Sequence, residues 1–198
     1  MRKQMFFENR ITLGLLLLVS FLILGTIPFA LGATNDINIT GMINPNIKWI
    51  INTNNNETVV NHDINNCLTS LGKLDWQSVS ISADKIADDS QKAIDVSNSY
   101  EVSSDFQSVK DEYNLAMEQA IQAAIYIKKG AEEAEKGNRD GMDSNFNQAA
   151  ECLKSYNQHT HSVYNQEVIY VNGWHEGDMS IIAGTGDNTL VIVHKKQT

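Results

Sequence analysis

Between residues 104 and 137, hydrophobic and polar positions follow the period of one long α-helix. Small and apolar residues recur there at spacings of three and four, which is the spacing along one helix face. Ser104 with Gln107 predicts a capping box at the start, and Gly137 predicts a left-handed stop at the end. Residues 113–127 are apolar except along one narrow polar wedge, which indicates packing neighbours on two or more sides. We therefore expect this stretch to be the central helix of a bundle.

Three further stretches show the same helical period. The first covers residues 58–71 with Gly72 as its terminator, the second begins near Asp75 as N-cap, and the last begins near Asp140. Short connections between long helices favour antiparallel neighbours. The sequence therefore predicts a mainly α fold, an up-and-down bundle of three to four long helices that occupies residues 58–166.

The first 34 residues have the pattern of an export segment. Arg2, Lys3 and Arg10 form a positive flank, and residues 11–34 contain no charged side chain. This order is typical of a secretory signal peptide, although residues 11–34 are also long enough to span a bilayer as an uncleaved anchor. We expect residues 1–33 to be a signal peptide or N-terminal membrane anchor and the rest of the chain to lie outside the cytoplasm, secreted or anchored.

Short β-type runs flank the predicted bundle on both sides. Residues 34–57 form a polar segment in which apolar residues alternate with polar ones, and residues 167–198 contain three runs of strand type. The last two runs predict a hairpin, which alone would be marginal and should therefore pack on the bundle. The predicted strands lie at residues 37–39, 47–51, 168–171, 180–183 and 189–194.

The charge of the chain limits the classes of partner. It carries 15 basic and 24 acidic residues, a formal net charge of -9. Such a surface repels polyanions, so nucleic acid is excluded as a partner and cationic partners or simple solubility are favoured. Asparagine is abundant, most of all at residues 52–56. Because coding bias explains this as readily as function does, no role is predicted for it.

No residue pattern meets the requirements of a known catalytic, cofactor or metal site. None of the five histidines is preceded three residues earlier by glutamate, so the carboxylate–histidine motif of two-metal bundles is missing. There is no Gly-x-Ser-x-Gly elbow for a nucleophile. Residues 174–178 include three side chains that can bind metal, but the other ligands of a zinc or calcium site are not nearby in sequence. We expect no catalytic residue, no cofactor and no bound metal.

Cys67 and Cys152 are candidates for a disulfide. They fall in the first and last predicted helices, and export would place them where disulfides persist. The alternative is a pair of buried, inert thiols.

Four other residues are candidates for modification or binding. Asn38 and Asn56 each begin an Asn-x-Thr sequon, which is an acceptor for N-glycosylation if the host glycosylates exported proteins. Chance sequons in an asparagine-rich segment are the alternative. Trp174 and His175 lie in the predicted loop before the hairpin and are candidates for an interface.

The sequence therefore favours a non-enzymatic helical-bundle protein, exported or membrane-anchored, that binds a protein or a component of the cell envelope. A sensor-like ectodomain that binds a ligand is the alternative. A metal-dependent enzyme that uses residues 174–178 is a third and weaker hypothesis.

Overall fold

The computed structural model describes residues 44–173, 179–183 and 190–194, which are mainly helical. Helix α1 spans Pro45–Gly72, α2 spans Trp76–Ser99, α3 spans Gln107–Glu135 and α4 spans Arg139–Gly173. Strands β1, Met179–Ala183, and β2, Leu190–His194, pair antiparallel with Ile181 opposite Ile192. The packing of these strands on the bundle stays a prediction. The predicted signal or anchor lies outside the described residues, and within them no helix is both long and apolar enough to cross a membrane.

The four described helices run antiparallel to their neighbours. In every neighbouring pair, residues early in one helix contact residues late in the other, as expected of an up-and-down bundle. The prediction of a mainly helical bundle is therefore confirmed. The contacts that show these directions are Trp49–Ser97 and Asp63–Lys85 between α1 and α2, Asp84–Lys128 and Asn98–Asn114 between α2 and α3, Glu112–His159 and Gly130–Phe146 between α3 and α4, and Asn46–Tyr170 and Asn61–Tyr156 between α1 and α4.

Helix α3 is the most enclosed helix of the bundle. It packs on α2 and α4, and its Tyr113 hydroxyl donates a hydrogen bond to the Thr53 carbonyl oxygen of α1 at 3.0 Å. The prediction of a central helix with several neighbours is confirmed. Many of its buried residues are alanines, which let neighbouring helix axes approach closely. The buried apolar side chains of α3 are Val109, Tyr113, Ala116, Met117, Ala120, Ala123, Ala124, Ile127 and Ala131.

Helices α1 and α3 end in the same backbone motif but with different residues. After α3, Gly137 has a φ of 72° and donates its N–H to the carbonyl oxygen of Ala134, as the sequence predicts. After α1, the left-handed position is held by Leu74, with a φ of 56°. The helix ends at Gly72, the residue predicted to terminate it, but the left-handed residue of the motif lies two positions later.

The helix starts depend partly on tertiary contacts. Asp75 caps α2 as predicted, since its Oδ1 accepts a hydrogen bond from the Ser78 N–H at 3.1 Å. The predicted capping box from Ser104 is not formed, because Phe106 is the N-cap of α3 and makes no side-chain cap. The Phe106 ring is instead buried edge-on against Trp49, with ring centres 5.6 Å apart.

Helix α1 begins thirteen residues before its predicted start at residue 58. Asn44 caps it by accepting a hydrogen bond from the Asn46 N–H at 2.8 Å, and Pro45 occupies the first turn. The strand predicted at residues 47–51 is therefore wrong. Ile47, Trp49 and Ile50 are all buried on the helix. An alternation of only five residues fits the period of a strand and that of a helix, so the sequence did not distinguish the two. The run at residues 168–171 is likewise helical, in the last turns of α4, and residues 37–39 lie outside the described ranges.

Candidate functional site: a polar seam between two helices

Several polar side chains join helices α1 and α4. Their backbones stay further apart than those of the other neighbouring helices. Three asparagines of α1, spaced by eight and seven residues, each reach one side chain of α4 across this gap. We call this surface the α1–α4 seam. Its hydrogen bonds are Asn46 Nδ2 to Tyr170 OH at 2.9 Å, Asn54 Nδ2 to Glu167 Oε2 at 3.4 Å and Tyr156 OH to Asn61 Oδ1 at 2.9 Å.

Asn46 ties the seam to the connection between α2 and α3. Its side-chain amide also donates to the Ser103 hydroxyl at 2.7 Å, and its Oδ1 accepts from the Ser103 N–H at 2.9 Å. Tyr170 packs against Phe106, with ring centres 4.8 Å apart. This end of the seam is therefore fixed by three segments of the chain.

Glu57 of α1 and Glu167 of α4 lie in the middle of the seam, and the charge of Glu57 acts on the Glu167 carboxyl. Glu167 is only 5% exposed, and its Oε1 has no hydrogen-bond partner among the described atoms. Glu57 is half-buried and is hydrogen-bonded to the Asn61 side chain. None of the described lysines or arginines forms an ion pair with either group. Among the described residues, the buried Glu167 therefore has no cation of the kind that usually accompanies a buried charge.

Burial changes the acidity of both glutamates. It raises the pKa of Glu57 to about 7, although the hydrogen bond to Asn61 acts in the opposite direction. It raises the pKa of Glu167 to about 8, and the nearby charge of Glu57 adds to the rise. At neutral pH the pair therefore keeps part of its protons.

Two buried tyrosines lie beside the carboxyl pair. The Tyr113 hydroxyl of α3 donates to the carbonyl oxygen of Thr53, and the Tyr156 hydroxyl of α4 donates to Asn61. Burial raises the pKa of both phenols well above the ordinary value, with a further contribution from Glu57. Both side chains are therefore neutral hydrogen-bond donors that connect helices.

Other charged contacts hold neighbouring helix pairs. Asp63 of α1 is 1% exposed and accepts a hydrogen bond from the Lys85 ammonium of α2 at 2.7 Å. On the opposite side, His159 Nδ1 of α4 lies 2.9 Å from Glu112 Oε1 of α3. Each contact joins two helices, and Asp89 of α2 lies close to Asp63 as well. Across the described ranges, no three or more His, Cys, Asp or Glu side chains converge as a metal site.

The structure contains both candidate disulfide residues as free thiols. Cys67 is buried, its Sγ lies 3.9 Å from the Val79 carbonyl oxygen of α2, and burial raises its pKa to about 12. Cys152 is half-buried on α4, and burial raises its pKa as well. The candidate disulfide between Cys67 and Cys152 is therefore not formed in this structure, and the Cys67 thiol points toward α2.

Of the remaining candidate residues, the structure describes one. Asn56 lies in the middle of α1, half-buried, and donates to the Asn52 carbonyl oxygen at 2.7 Å. Its glycosylation stays a prediction, and the helical position differs from the surface loop usual for an acceptor. Asn38, Trp174 and His175 lie outside the described residues.

Sequence reasoning missed the seam itself. The signal was the spacing of Asn46, Asn54 and Asn61, which places three amides on one helix face about two turns apart. It was hidden because α1 was expected to begin after two of these residues.

The chain matches no protein-family model, no curated protein and no solved structure. The function must therefore be inferred from the bundle and the seam.

Proposed function

We propose that this chain is a non-enzymatic helical-bundle protein, exported or membrane-anchored through residues 11–34, that binds a protein or a component of the cell envelope. One observation supports binding over catalysis. Three groups with strongly raised pKa values, Glu167, Tyr113 and Tyr156, are buried and engaged in holding helices together. A general acid or base must instead reach a substrate atom directly or through one water.

The charge of the chain supports a partner with basic groups. Without Arg2, Lys3, Arg10 and Glu8, the exported part keeps 12 basic and 23 acidic residues, a formal charge of -11. Association with a cationic surface would be accelerated by this field and weakened by salt.

Export is tested by adding protease to intact cells or spheroplasts. The bundle should be digested without lysis, whereas a bundle protected until the membrane is broken contradicts export. N-terminal sequencing of the surviving protein then distinguishes a cleaved signal from an anchor.

Partner binding is tested by affinity capture with residues 34–198 as bait, followed by titration with the purified partner. The double substitution Trp174→Ala and His175→Ala should abolish binding and leave thermal unfolding unchanged if this segment is the interface. Ile81→Ala on α2, whose side chain is 62% exposed, is the matched surface control. Stoichiometric metal in the purified protein, or a turnover abolished by His175→Ala, contradicts the non-enzymatic function.

A sensor-like ectodomain is the second candidate, and the α1–α4 seam favours it. Facing helices of a bundle commonly supply the side chains of a ligand site, and this seam holds two carboxyls with no basic partner among the described residues. A cationic ligand is the chemistry that would complement them. Thermal unfolding at pH 8.5 with calcium, magnesium or spermidine chloride at constant ionic strength tests this. Stabilisation that Glu167→Gln removes and Glu151→Gln retains would support a sensor, and no stabilisation by any of the three would reject a cation sensor of this kind.

A further inference from the structure

The connection between α1 and α2 is short, and its backbone is strained. Only Lys73, Leu74 and Asp75 separate the last residue of α1 from the first residue of α2, and we call these three residues the hinge. Leu74 holds a φ of 56°, in the left-handed region where a Cβ atom crowds the backbone, and its side chain is exposed. The closed turn between the two helices is therefore kept against the preference of its central residue.

The connection between α3 and α4 has the same length without the same strain. It consists of residues 136–138, and a glycine, Gly137, occupies its left-handed position with a φ of 72°. Glycine has no Cβ atom and adopts this region readily. Of the two three-residue turns, the hinge is therefore the one whose opening would release backbone strain.

Few backbone changes would turn α1 and α2 into one continuous helix. Lys73 is already in the right-handed helical region, so Leu74 and Asp75 are the residues whose dihedral angles must change. The strain at Leu74 would then be released. The cost is the Asp75 cap, whose carboxylate accepts hydrogen bonds from the Ser78 N–H at 3.1 Å and from the Ser78 hydroxyl at 2.7 Å.

Helix α1 can make all its contacts with a second copy of the chain. In the bundle its backbone packs closely on α2, and it reaches α4 through the side chains of the α1–α4 seam. A second copy offers the same surfaces of α2 and α4, so these contacts can form again between chains. Short connections under strain favour such an exchange of an element between copies.

We propose that the chain forms a domain-swapped dimer, in which the hinge becomes helical and α1 of each copy packs on α2, α3 and α4 of the other. Each α1–α4 seam is then built from two chains, and the ion pair of Asp63 and Lys85 joins one chain to the other. Because Asn44 lies at the end of α1 away from the hinge, the two N-terminal segments leave at opposite ends of the dimer. This arrangement suits a chain whose residues 1–33 have been cleaved, but the exchange itself does not depend on the proposed function.

The hinge is tested by sedimentation equilibrium of the full chain in detergent, after refolding from urea at a series of concentrations. The unaltered protein should form dimers. Asp75→Ala removes the cap of the closed turn and should lower the dissociation constant by about tenfold or more, because two hinges change in each dimer. Leu74→Gly relieves the strain of the closed turn and should raise the dissociation constant by about tenfold or more.

Asp95→Ala is the matched control, since it removes an exposed aspartate of α2 away from the hinge and should leave the dissociation constant unchanged. Monomers at every concentration, in both the unaltered protein and Asp75→Ala, would overturn the proposal. A dimer that neither hinge variant weakens or strengthens would overturn it as well.

The exchange of α1 is tested by refolding isotope-labelled and unlabelled chains together and coupling ion-paired carboxyl and amino groups with a carbodiimide. In the dimer fraction, the cross-linked peptides of Asp63 and Lys85 should include hybrids of a labelled and an unlabelled peptide. Asp84 of α2 and Lys128 of α3 stay within one chain, so their cross-link is the control and should contain no hybrids. Cross-links of Asp63 and Lys85 without hybrids would mean that the dimer forms without exchange, and the proposal would be wrong.

Discussion

Leu74 and Gly137 occupy the same position in the two helix-ending motifs, and their side chains differ in how well they suit it. Both have positive φ, a region in which a Cβ atom crowds the backbone and glycine does not. Gly137 therefore fits its motif, while Leu74 holds its conformation against an intrinsic preference. Since the Leu74 side chain is 46% exposed, burial compensates for only part of this cost.

Leu74→Gly should stabilise the protein by roughly 0.5 to 1 kcal/mol, because relief of the left-handed strain outweighs the small loss of buried area. The free energy of unfolding in urea measures this change. Gly137→Ala is the reciprocal control and should destabilise by about 1 kcal/mol. A clear loss of stability in Leu74→Gly would mean that the leucine side chain contributes more packing than its exposure indicates.

At Gly130, helix α3 lies so close to Phe146 of α4 that a larger side chain has no room. A Cβ atom at this position would lie 2.7 Å from Cε1 of Phe146, a ring that also stacks on Trp76 with centres 6.2 Å apart. Gly130→Ala should therefore destabilise the bundle by about 1 to 3 kcal/mol, although alanine favours the helix.

Gly72 provides the matched control for this substitution. It is also helical, but a Cβ added there meets nothing within 4 Å. Gly72→Ala should stabilise by roughly 0.5 to 1 kcal/mol in the same denaturation experiment. Equal effects at the two glycines would rule out the close contact with Phe146.

At the scale of helices, neighbouring elements are held by different kinds of contact. Helix α1 is joined to α2 by the buried Asp63 carboxyl and its Lys85 partner, while α2 is joined to α3 by an ion pair of Asp84 and Lys128 whose side chains are 58% and 39% exposed. A surface ion pair contributes little because water and salt screen it. A buried acceptor that loses its donor is much more costly.

Lys85→Met should therefore lower the midpoint of thermal unfolding, since it keeps the apolar stem but removes the ammonium that pairs with the buried Asp63 carboxyl at 2.7 Å. Lys128→Met is the matched control at an exposed pair and should leave the midpoint within experimental error. Recovery of the lost stability in the double variant Lys85→Met and Asp63→Asn would identify the unpaired charge as the cause. Two variants of equal stability would contradict the distinction drawn here between buried and exposed pairs.

The cysteines provide a second prediction about how elements are joined. As free thiols on α1 and α4, both should react with a thiol reagent in denatured, unreduced protein taken from its native compartment. In the folded state Cys152 should react first, because Cys67 is buried and its pKa is raised to about 12. If neither residue reacts before a reductant is added, the two helices are joined by the disulfide.

For the molecule as a whole, the seam makes stability depend on pH in an unusual direction. The ordinary pKa of glutamate is 4.5, and the folded values are about 7 for Glu57 and about 8 for Glu167. Between these limits the folded state binds more protons than the unfolded state, so the free energy of unfolding falls as pH rises. The contribution of the two glutamates to the free energy of unfolding is full below pH 4.5. It is lost once the pH rises above their pKa values in the folded protein.

In urea denaturation at constant ionic strength, the free energy of unfolding should therefore fall by several kcal/mol between about pH 5 and pH 9, since each unit of pKa shift corresponds to about 1.4 kcal/mol. Glu167→Gln should flatten the profile, and Glu151→Gln should reproduce that of the unaltered protein. A stability that is constant over this range, or that rises with pH, would contradict the assignment of raised pKa values to the pair.

Local signals in the sequence were sufficient for much of the bundle. The spacing of Val109, Tyr113, Ala116 and Ala120 predicted α3 because helical period is a property of neighbouring residues. The same holds for the Asp75 cap and the Gly137 stop, which depend on hydrogen bonds within a few residues. Antiparallel order followed from the short connections. These features are determined by the sequence alone, since their energies come from contacts close along the chain.

The tertiary structure decided the features that depend on residues far apart in sequence. Helix α1 extends back to Pro45 because Trp49 can bury its ring against Phe106 and Tyr113. The seam exists because three asparagines of α1 find partners about 95 to 124 positions away. Whether a glutamate such as Glu167 is solvated or buried, and so whether its pKa is ordinary or about 8, depends on which helix covers it. No pattern within a single helix contains that information.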